Sequence, residues 1–288
     1  MNTAMLKQIT VTPYTRRDRH VVSDLLFRNY NVHTHLDWQE TDKWLETQQG
    51  ITRLAWQHGR LTGMLATAAP LGDTTWIRIA ALADNADAQR TFEALFEALH
   101  TELIATQVRT VAVLLIRDWL IPFVQPHGFA LAEEVITLRR ADQPPPLEEQ
   151  LLNLVIHPTR DGDIPTIARV DQAAFTPPWQ LSDDDVREAV RASAYCTVAV
   201  SGERIVGYQA STMYFDGGHL ARLAVLPELQ GTGVGSALVN DLLRRFSRRG
   251  ITSVTVNTQL SNTRSQRLYE RYGFQRNGYD LPVWMIKL

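Results

Sequence analysis

Cysteine is almost missing. Cys196 is the only one in 288 residues, so no disulfide can close within the chain and an oxidising compartment is not indicated. A thiol nucleophile needs an activating base. Cys196 sits in the apolar run 195–200 with no such base beside it in sequence, which reads as a packed strand thiol. No stretch approaches the roughly 18 apolar residues of a membrane span, and the N-terminus lacks a basic-then-apolar leader pattern. Neither sign of charge dominates: 29 Lys and Arg stand against 31 Asp and Glu, a net charge of −2. That balance leaves no electrostatic footprint for nucleic acid or a membrane surface. No His/Cys cluster stands at metal-ligand spacing, so no metal is expected. A cytoplasmic protein, monomer or homodimer, with neither nucleic acid nor membrane as partner is the expectation.

Against these absences stands one dense segment. Residues 219–226 read as a strand, Gln230-Gly231-Thr232-Gly233-Val234-Gly235 as a glycine-rich turn, and a helix is predicted from about Ser236. Glycines at every second position let the backbone turn tightly with its N–H groups exposed. The positive end of the following helix adds to them, giving a site for phosphate or pyrophosphate built from main-chain donors. No Gly-Lys-Ser/Thr ending follows, which excludes a nucleotide P-loop, and the glycine order is not that of a dinucleotide fingerprint.

The wider pattern is Leu223-Ala224-Val225-Leu226-Pro227, then Gln230 and the glycines, then Asn262, then Leu268-Tyr269-Glu270-Arg271-Tyr272-Gly273-Phe274. It resembles the GNAT superfamily of acyl-CoA N-acyltransferases over roughly residues 151–288, with both motifs in order and at the right spacing. The resemblance implies an acetyl-CoA co-substrate. Its pantetheine arm would bond the backbone at Leu223, Ala224 and Val225 as an added strand does. Its pyrophosphate would lie on Gln230, Gly231, Thr232, Gly233, Val234, Gly235 and Ser236. Asn262, read as the cap of the last helix, and Ser265, where the family usually has alanine, complete the expected cofactor contacts. Tyr269 matches the tyrosine beside the thioester sulfur and is cast as general acid, since a phenol with a pKa of about 10 keeps its proton at pH 7.

A proline-rich stretch, Gln143-Pro144-Pro145-Pro146-Leu147, marks the midpoint and reads as an extended spacer over 141–150. The halves on either side repeat one another. Pro13 and Asp18 recur as Pro158 and Asp163, and Gly128-Phe129 as Gly273-Phe274, each 145 residues later. Gly59-Arg60-Leu61-Thr62-Gly63 parallels Gly202-Glu203-Arg204-Ile205-Val206-Gly207, each a hairpin turn entering a strand. The reading is therefore an α/β (α+β) chain of two GNAT-like domains, 1–140 and 151–288, each a mixed, largely antiparallel twisted sheet with helices on both faces. The first half lacks the machinery. Its strand 74–82 runs into Ala83-Asp84-Asn85-Ala86-Asp87-Ala88, which has no glycine and two acids that would repel a pyrophosphate, and Val124 stands where the other half has Tyr269. Phe92, Leu95, Phe96, Leu99 and Leu103 share one face of the next helix as core.

Transfer of an acyl group to an amine calls for a base to take the amine's proton. His219 occupies the position where many GNAT members carry a glutamate, and a neutral imidazole is a competent base; a turn-flanking, exposed histidine is the competing reading. Trp179, after Pro177 and Pro178, resembles a Pro-Trp of the substrate loop in several relatives, and it either flanks the acceptor or seals the core. Tyr214 is a candidate pocket wall; Asp216-Gly217-Gly218 reads as a turn. Ribosomal-protein N-terminal acetyltransferases place a glutamate five residues before the asparagine, where this chain has Asn257. The expected acceptor is the primary amine of a small molecule. The alternatives are protein N-terminal acetylation or a module that senses acyl-CoA without turnover. One active and one inactive half is also an arrangement similar to mycothiol synthase.

Overall fold

A computed structural model describes residues 9–47, 50–147, 153–215 and 217–288. The chain divides into two units, Met1–Ala132 with Leu281–Leu288, and Glu133–Asp280. The first holds β1 (Thr10–Pro13), α1 (Arg19–Arg28), β2 (Asn31–Thr34), α2 (Thr41–Thr47), β3 (Thr52–Gln57), β4 (Arg60–Thr67), β5 (Thr74–Leu82), α3 (Ala88–Ala105), β6 (Thr110–Leu114), α4 (Ile121–Val124) and the start of β7 (Ala130–Ala141). The second holds the rest of β7, then β8 (Leu154–Pro158), α5 (Ile164–Ala174), α6 (Asp183–Ala192), β9 (Tyr195–Ser201), β10 (Arg204–Tyr214), β11 (Gly217–Val225), α7 (Val234–Arg248), β12 (Ser253–Gln259), α8 (Thr263–Arg271) and the start of β13 (Gln275–Lys287).

Each unit is a mixed α/β domain on one plan. In the second, the strands run β8-β9-β10-β11-β12-β7; in the first, β1-β3-β4-β5-β6 and then residues 283–287 of β13. Neighbours are antiparallel except at one place in each, where β11 lies parallel to β12 and β5 to β6. Irregularities repeat as well. One residue bulges from β11 between the partners of Ala210 and Ser211, and one from β5 between the partners of Ala66 and Thr67. Leu226 N–H donates to the Val206 carbonyl in one unit, and Ala83 N–H to the Thr62 carbonyl in the other, both at 2.9 Å. Shared bulges of this kind tie the two halves together more firmly than matching residue types do.

Helices cover both faces, as amphipathic spacing demands. In the first unit Phe92, Leu95, Phe96, Leu99 and Leu103 of α3 pack on Leu65, Ile77, Val111 and Val113. On the other face Val22, Leu25 and Leu45 of α1 and α2 meet Leu54, Met64, Ile79 and Ala81. In the second unit Leu242, Leu243 and Phe246 of α7 and Tyr269 of α8 pack on Leu220, Val254 and Val256. Ser182 caps α6 in a reciprocal box with Asp185, and Asp87 caps α3. No helix among the described residues is long and apolar enough to cross a membrane.

The sequence-based boundaries need correction. The units do not part at 141–150. β7 crosses over at Ala132/Glu133, and the chain's last eight residues return to the first unit. Residues 143–147 are no free spacer, because prolines lack an N–H but keep their carbonyls as acceptors. Arg140 donates to the Gln143 and Pro144 carbonyls, Arg244 to Pro146 at 3.3 Å and Asn240 to Leu147 at 2.7 Å. Residues 148–150 of the expected spacer, and Asp216 of the expected turn, lie outside the described residues. Gly217 and Gly218 belong to β11, not to a turn. A Cβ on Gly218 would come within 2.6 Å of the Phe246 ring and one on Gly217 within 2.8 Å of the Ser253 carbonyl, so both are places where only glycine lets the neighbours close.

Candidate active site

β11 and β12 pair only over three positions, Gly218↔Val254, His219↔Thr255 and Leu220↔Val256. Beyond them β12 stays with β7 and β11 with β10, so the strands splay and, among the described residues, one edge of β11 is left without a strand partner. Backbone direction alternates along a strand. Since the Leu226 N–H turns toward β10, Val225 and Leu223 turn their amides and carbonyls to the open edge. Ala224 turns inward, and a Cβ on Gly207 of β10 would lie 2.9 Å from its carbonyl. Ala224 is therefore corrected as a backbone ligand: its groups are consumed by the sheet. The Val225 carbonyl accepts from the Gln230 side chain at 3.1 Å, which ties the glycine turn to the strand.

In that turn Gly231 and Gly233 adopt φ of +87° and +102°, the left-handed region that glycine enters without strain. The second places α7 directly after itself, so the helix begins at Val234, two residues before the expected Ser236. Gly235 has another task. Its φ is ordinary, and a Cβ there would touch Leu268 at 3.3 Å, so its lack of a side chain lets α8 approach. Among the described residues no acceptor takes the amides of Gly231, Gly233, Val234, Gly235 or Ser236, and no side chain caps α7. The Thr232 hydroxyl bonds back to the Leu229 carbonyl at 2.8 Å. Arg264 donates to Gln230, and Arg271 to the Ser236 hydroxyl at 3.2 Å, so two cations flank a nest of free amides. Asn262 caps α8 by accepting from the Ser265 amide at 3.1 Å. Unbonded amides at a helix N-terminus beside two guanidinium groups suit an anion in charge.

The first unit offers the contrast. There β2 lies in the corresponding splay and pairs with the edge of β5, Asn31↔Leu82 through Thr34↔Ile79. The Tyr30 amide donates to the Asp84 carboxylate at 3.1 Å, and the Asp84 amide to the Asn29 side chain at 2.9 Å. Edge and loop are both occupied by the chain itself. Val124, opposite number of Tyr269, is fully buried.

Tyr269 is 4% exposed and packs on Phe274, ring centroids 5.7 Å apart. Burial raises its pKa well above the ordinary phenol value, with Arg222 pulling weakly the other way. His219 is half-buried rather than surface-exposed; Nδ1 lies 2.8 Å from the Thr255 hydroxyl, and burial lowers its pKa. At neutral pH the phenol is thus protonated and the imidazole neutral. No hydrogen bond joins the two. Trp179 is half-buried, with its carbonyl held by Arg222 at 2.6 Å. Tyr214 is 60% exposed at the end of β10, and its hydroxyl accepts from Thr212 at 3.3 Å; the structure does not join it to the other site residues. Burial raises the Cys196 thiol to about 11, despite a bond from the Thr159 hydroxyl, as expected of an inert strand thiol.

Sequence reasoning missed the most polar feature of this unit. Asp171, on α5, is fully buried and accepts four hydrogen bonds: Arg222 Nε at 2.8 Å, Arg222 Nη2 at 2.7 Å, the Tyr208 hydroxyl at 2.6 Å and the Leu181 amide at 2.8 Å. The Arg222 guanidinium also lies 3.7 Å over the Phe175 ring. Burial works against its charge, but the adjacent Asp171 carboxylate more than offsets this and its pKa rises. The bulge in β11 makes this possible. Leu220 and Leu223 face the α7 core, and the extra residue between them turns Arg222 toward α5. The signals were legible: an arginine in an apolar strand, and an aspartate on the buried stripe of α5 with Ile164, Ile167 and Ala168.

Residues 164–274 match the model of the Acetyltransferase (GNAT) family. A [ribosomal protein bS18]-alanine N-acetyltransferase of Haemophilus ducreyi is 26% identical over 127 residues, covering 42% of this chain and 86% of that protein. A mycothiol acetyltransferase of Saccharopolyspora erythraea is 28% identical over 173 residues, 54% of this chain and 55% of that one. Among solved structures, a tandem GNAT protein from the clavulanic acid biosynthesis pathway superposes with a TM-score of 0.66 at 13% identity, covering 97% of this chain and 98% of the other; this likeness concerns the fold.

Proposed function

The chain carries a GNAT acetyltransferase domain over residues 164–274 and is an acyltransferase; on that premise we propose that its second half transfers an acetyl group from acetyl-CoA to the primary amine of a small molecule, in the cytoplasm. The observation that carries this reading is the pairing of an open strand edge at Leu223 and Val225 with five uncommitted amides at residues 231 and 233–236. The edge suits the amide-bearing pantetheine arm, and the nest suits the diphosphate. Acetyl-CoA supplies an activated thioester. His219, neutral by burial, accepts the proton that the attacking amine sheds. The amine nitrogen bonds to the acetyl carbon, and the carbon–sulfur bond breaks. Tyr269, kept protonated by burial, donates its phenolic proton to the departing sulfur. Trp179 and its loop border the acceptor.

Asn257 cannot take a proton, which favours a small molecule over the peptide amine that the ribosomal-protein relatives modify. Purified protein, acetyl-CoA and a panel of small amines and N-terminal peptides, followed by release of free thiol, test the reading. Turnover with a small amine that is lost in Tyr269→Phe is expected. Turnover on peptides alone would replace the acceptor class. Saturable CoA binding with no turnover across the panel would overturn the catalytic reading.

A further inference from the structure

The two units provide an internal comparison that neither provides alone. The parallel pairs Trp76↔Ala112 and His219↔Thr255 match, and both bulges lie two residues further on, at Arg78 and Ala221. By that register Ile79 stands where Arg222 does. Met64, opposite Ala81, stands where Tyr208 does, opposite Ala224. Helices α1 and α5 each give way to an extended residue, Asn29 and Phe175. Three residues before each helix end lie Leu25 and Asp171. The buried polar trio of the second unit is therefore three packed hydrophobes in the first, Leu25, Met64 and Ile79. The fold does not need the trio.

The segment after the helix differs in the same way. Two residues past Asn29 the first unit forms β2 and closes the edge of β5. Two residues past Phe175 the second unit has Pro177 and Pro178, then Trp179. In β2 the residues facing outward-turned partners are Asn31, opposite Leu82, and His33, opposite Ala80. Their counterparts are Pro177, which has no N–H to give, and Trp179, whose carbonyl is drawn away to Arg222. The Val225 carbonyl that such a strand would need is held by Gln230.

We propose that Arg222, locked to Asp171 and Tyr208, is a positioning residue that holds segment 175–181 off the free edge of β11, so that the edge stays open for the coenzyme's amide arm. The chain thus carries both settings of one switchable segment, seated on the edge in the first half and tethered away from it in the second. The inference rests on the coenzyme reading above.

The test uses the full chain. One variant removes the trio in favour of the first half's residues (Asp171→Leu, Tyr208→Met, Arg222→Ile). A second restores the strand donor (Pro177→Asn, Pro178→Val), and a third combines all five. Thermal unfolding reports the fold, calorimetry reads CoA binding, and hydrogen exchange follows the Leu223 and Val225 amides. In the combined variant those amides should slow and the CoA dissociation constant rise, each by at least about tenfold. The proline changes alone should leave CoA affinity within about twofold, because Arg222 still holds Trp179. A folded combined variant with unaltered CoA affinity and fast exchange would overturn the proposal, and so would closure by the proline changes alone. Should the combined variant not fold, Asp171→Asn with Arg222→Gln in the Pro177→Asn, Pro178→Val background reads the same two quantities, with the same outcomes deciding. Wild-type protein that binds no CoA would fail the coenzyme reading, while exchange at Leu223 and Val225 still reports on the edge.

Discussion

Replacing Asp171 by alanine removes the one carboxylate among Arg222, Tyr208 and the Leu181 amide. Four hydrogen bonds of 2.6–2.8 Å vanish together. The larger effect is on what stays behind, since the Arg222 side chain is only 14% exposed and would keep its charge with no counter-ion. Breaking a buried pair from one side typically costs about 3–5 kcal/mol. For a domain of this size each kcal/mol moves the midpoint by about 2–4 °C, so the unfolding midpoint of the second unit should fall by about 6–20 °C. Calorimetric scans of wild type and variant measure this directly. An exposed pair serves as the control: Arg19 bonds Asp42 and Glu46 with its side chain 48% exposed, and Arg19→Ala should leave the unfolding midpoint close to that of wild type, because water screens the pair. A loss below about 1 kcal/mol in Asp171→Ala would mean that water reaches the pair or that Arg222 finds another partner, and the argument for a dry, locked trio would be wrong.

Further outcomes follow from the same geometry. Tyr269→Phe should lower turnover by about 10²–10⁴-fold while calorimetric CoA affinity stays unchanged; equal turnover would remove Tyr269 from the chemistry. Gly233→Val places a β-branched residue at φ +102°, a strain of about 1–3 kcal/mol, and should abolish measurable CoA binding before it unfolds the protein. His219→Gln should remove the acid limb of the pH–rate profile, which in wild type lies below about 6.5 because burial lowers the imidazole pKa. His33 is buried with its pKa depressed to about 3. The neutral form is favoured by folding, so its contribution is complete above the unfolded value of about 6.5 and is lost as pH falls toward 3, at up to about 1.4 kcal/mol per pH unit. His33→Gln should flatten that slope in denaturant titrations.

Much of this was legible in the residues themselves. β5 spans the predicted 74–82, the core face of α3 holds the five predicted residues, and the glycine turn precedes a helix. These are local signals of periodicity and backbone freedom, and local signals survive in sequence. β2 escaped because four residues of Asn-Val-His-Thr carry no strand pattern; it exists only because the splay in its own sheet leaves an edge to fill. The Asp171–Arg222 pair joins residues 51 apart; each charge stands out alone in an apolar setting, but nothing local in sequence pairs them. Its partner choice depends on a one-residue bulge that periodicity cannot reveal. The expected spacer failed for a related reason: three prolines do signal extension, but the carbonyls of Pro144 and Pro146 remain open to Arg140 and Arg244, and that of Leu147 to Asn240.

The route of β7 and β13 bears on how this gene can be dissected. A fragment ending at residue 140 would carry a first half deprived of residues 283–287, the strand that pairs with β6. One starting at residue 151 would lack 135–141, the strand that pairs with β12. Neither piece has a complete sheet, so assays on separately expressed halves would measure truncation damage rather than division of labour. A rearranged gene that keeps 133–280 contiguous and joins residue 132 to 281 through a designed loop is the cut that respects the architecture.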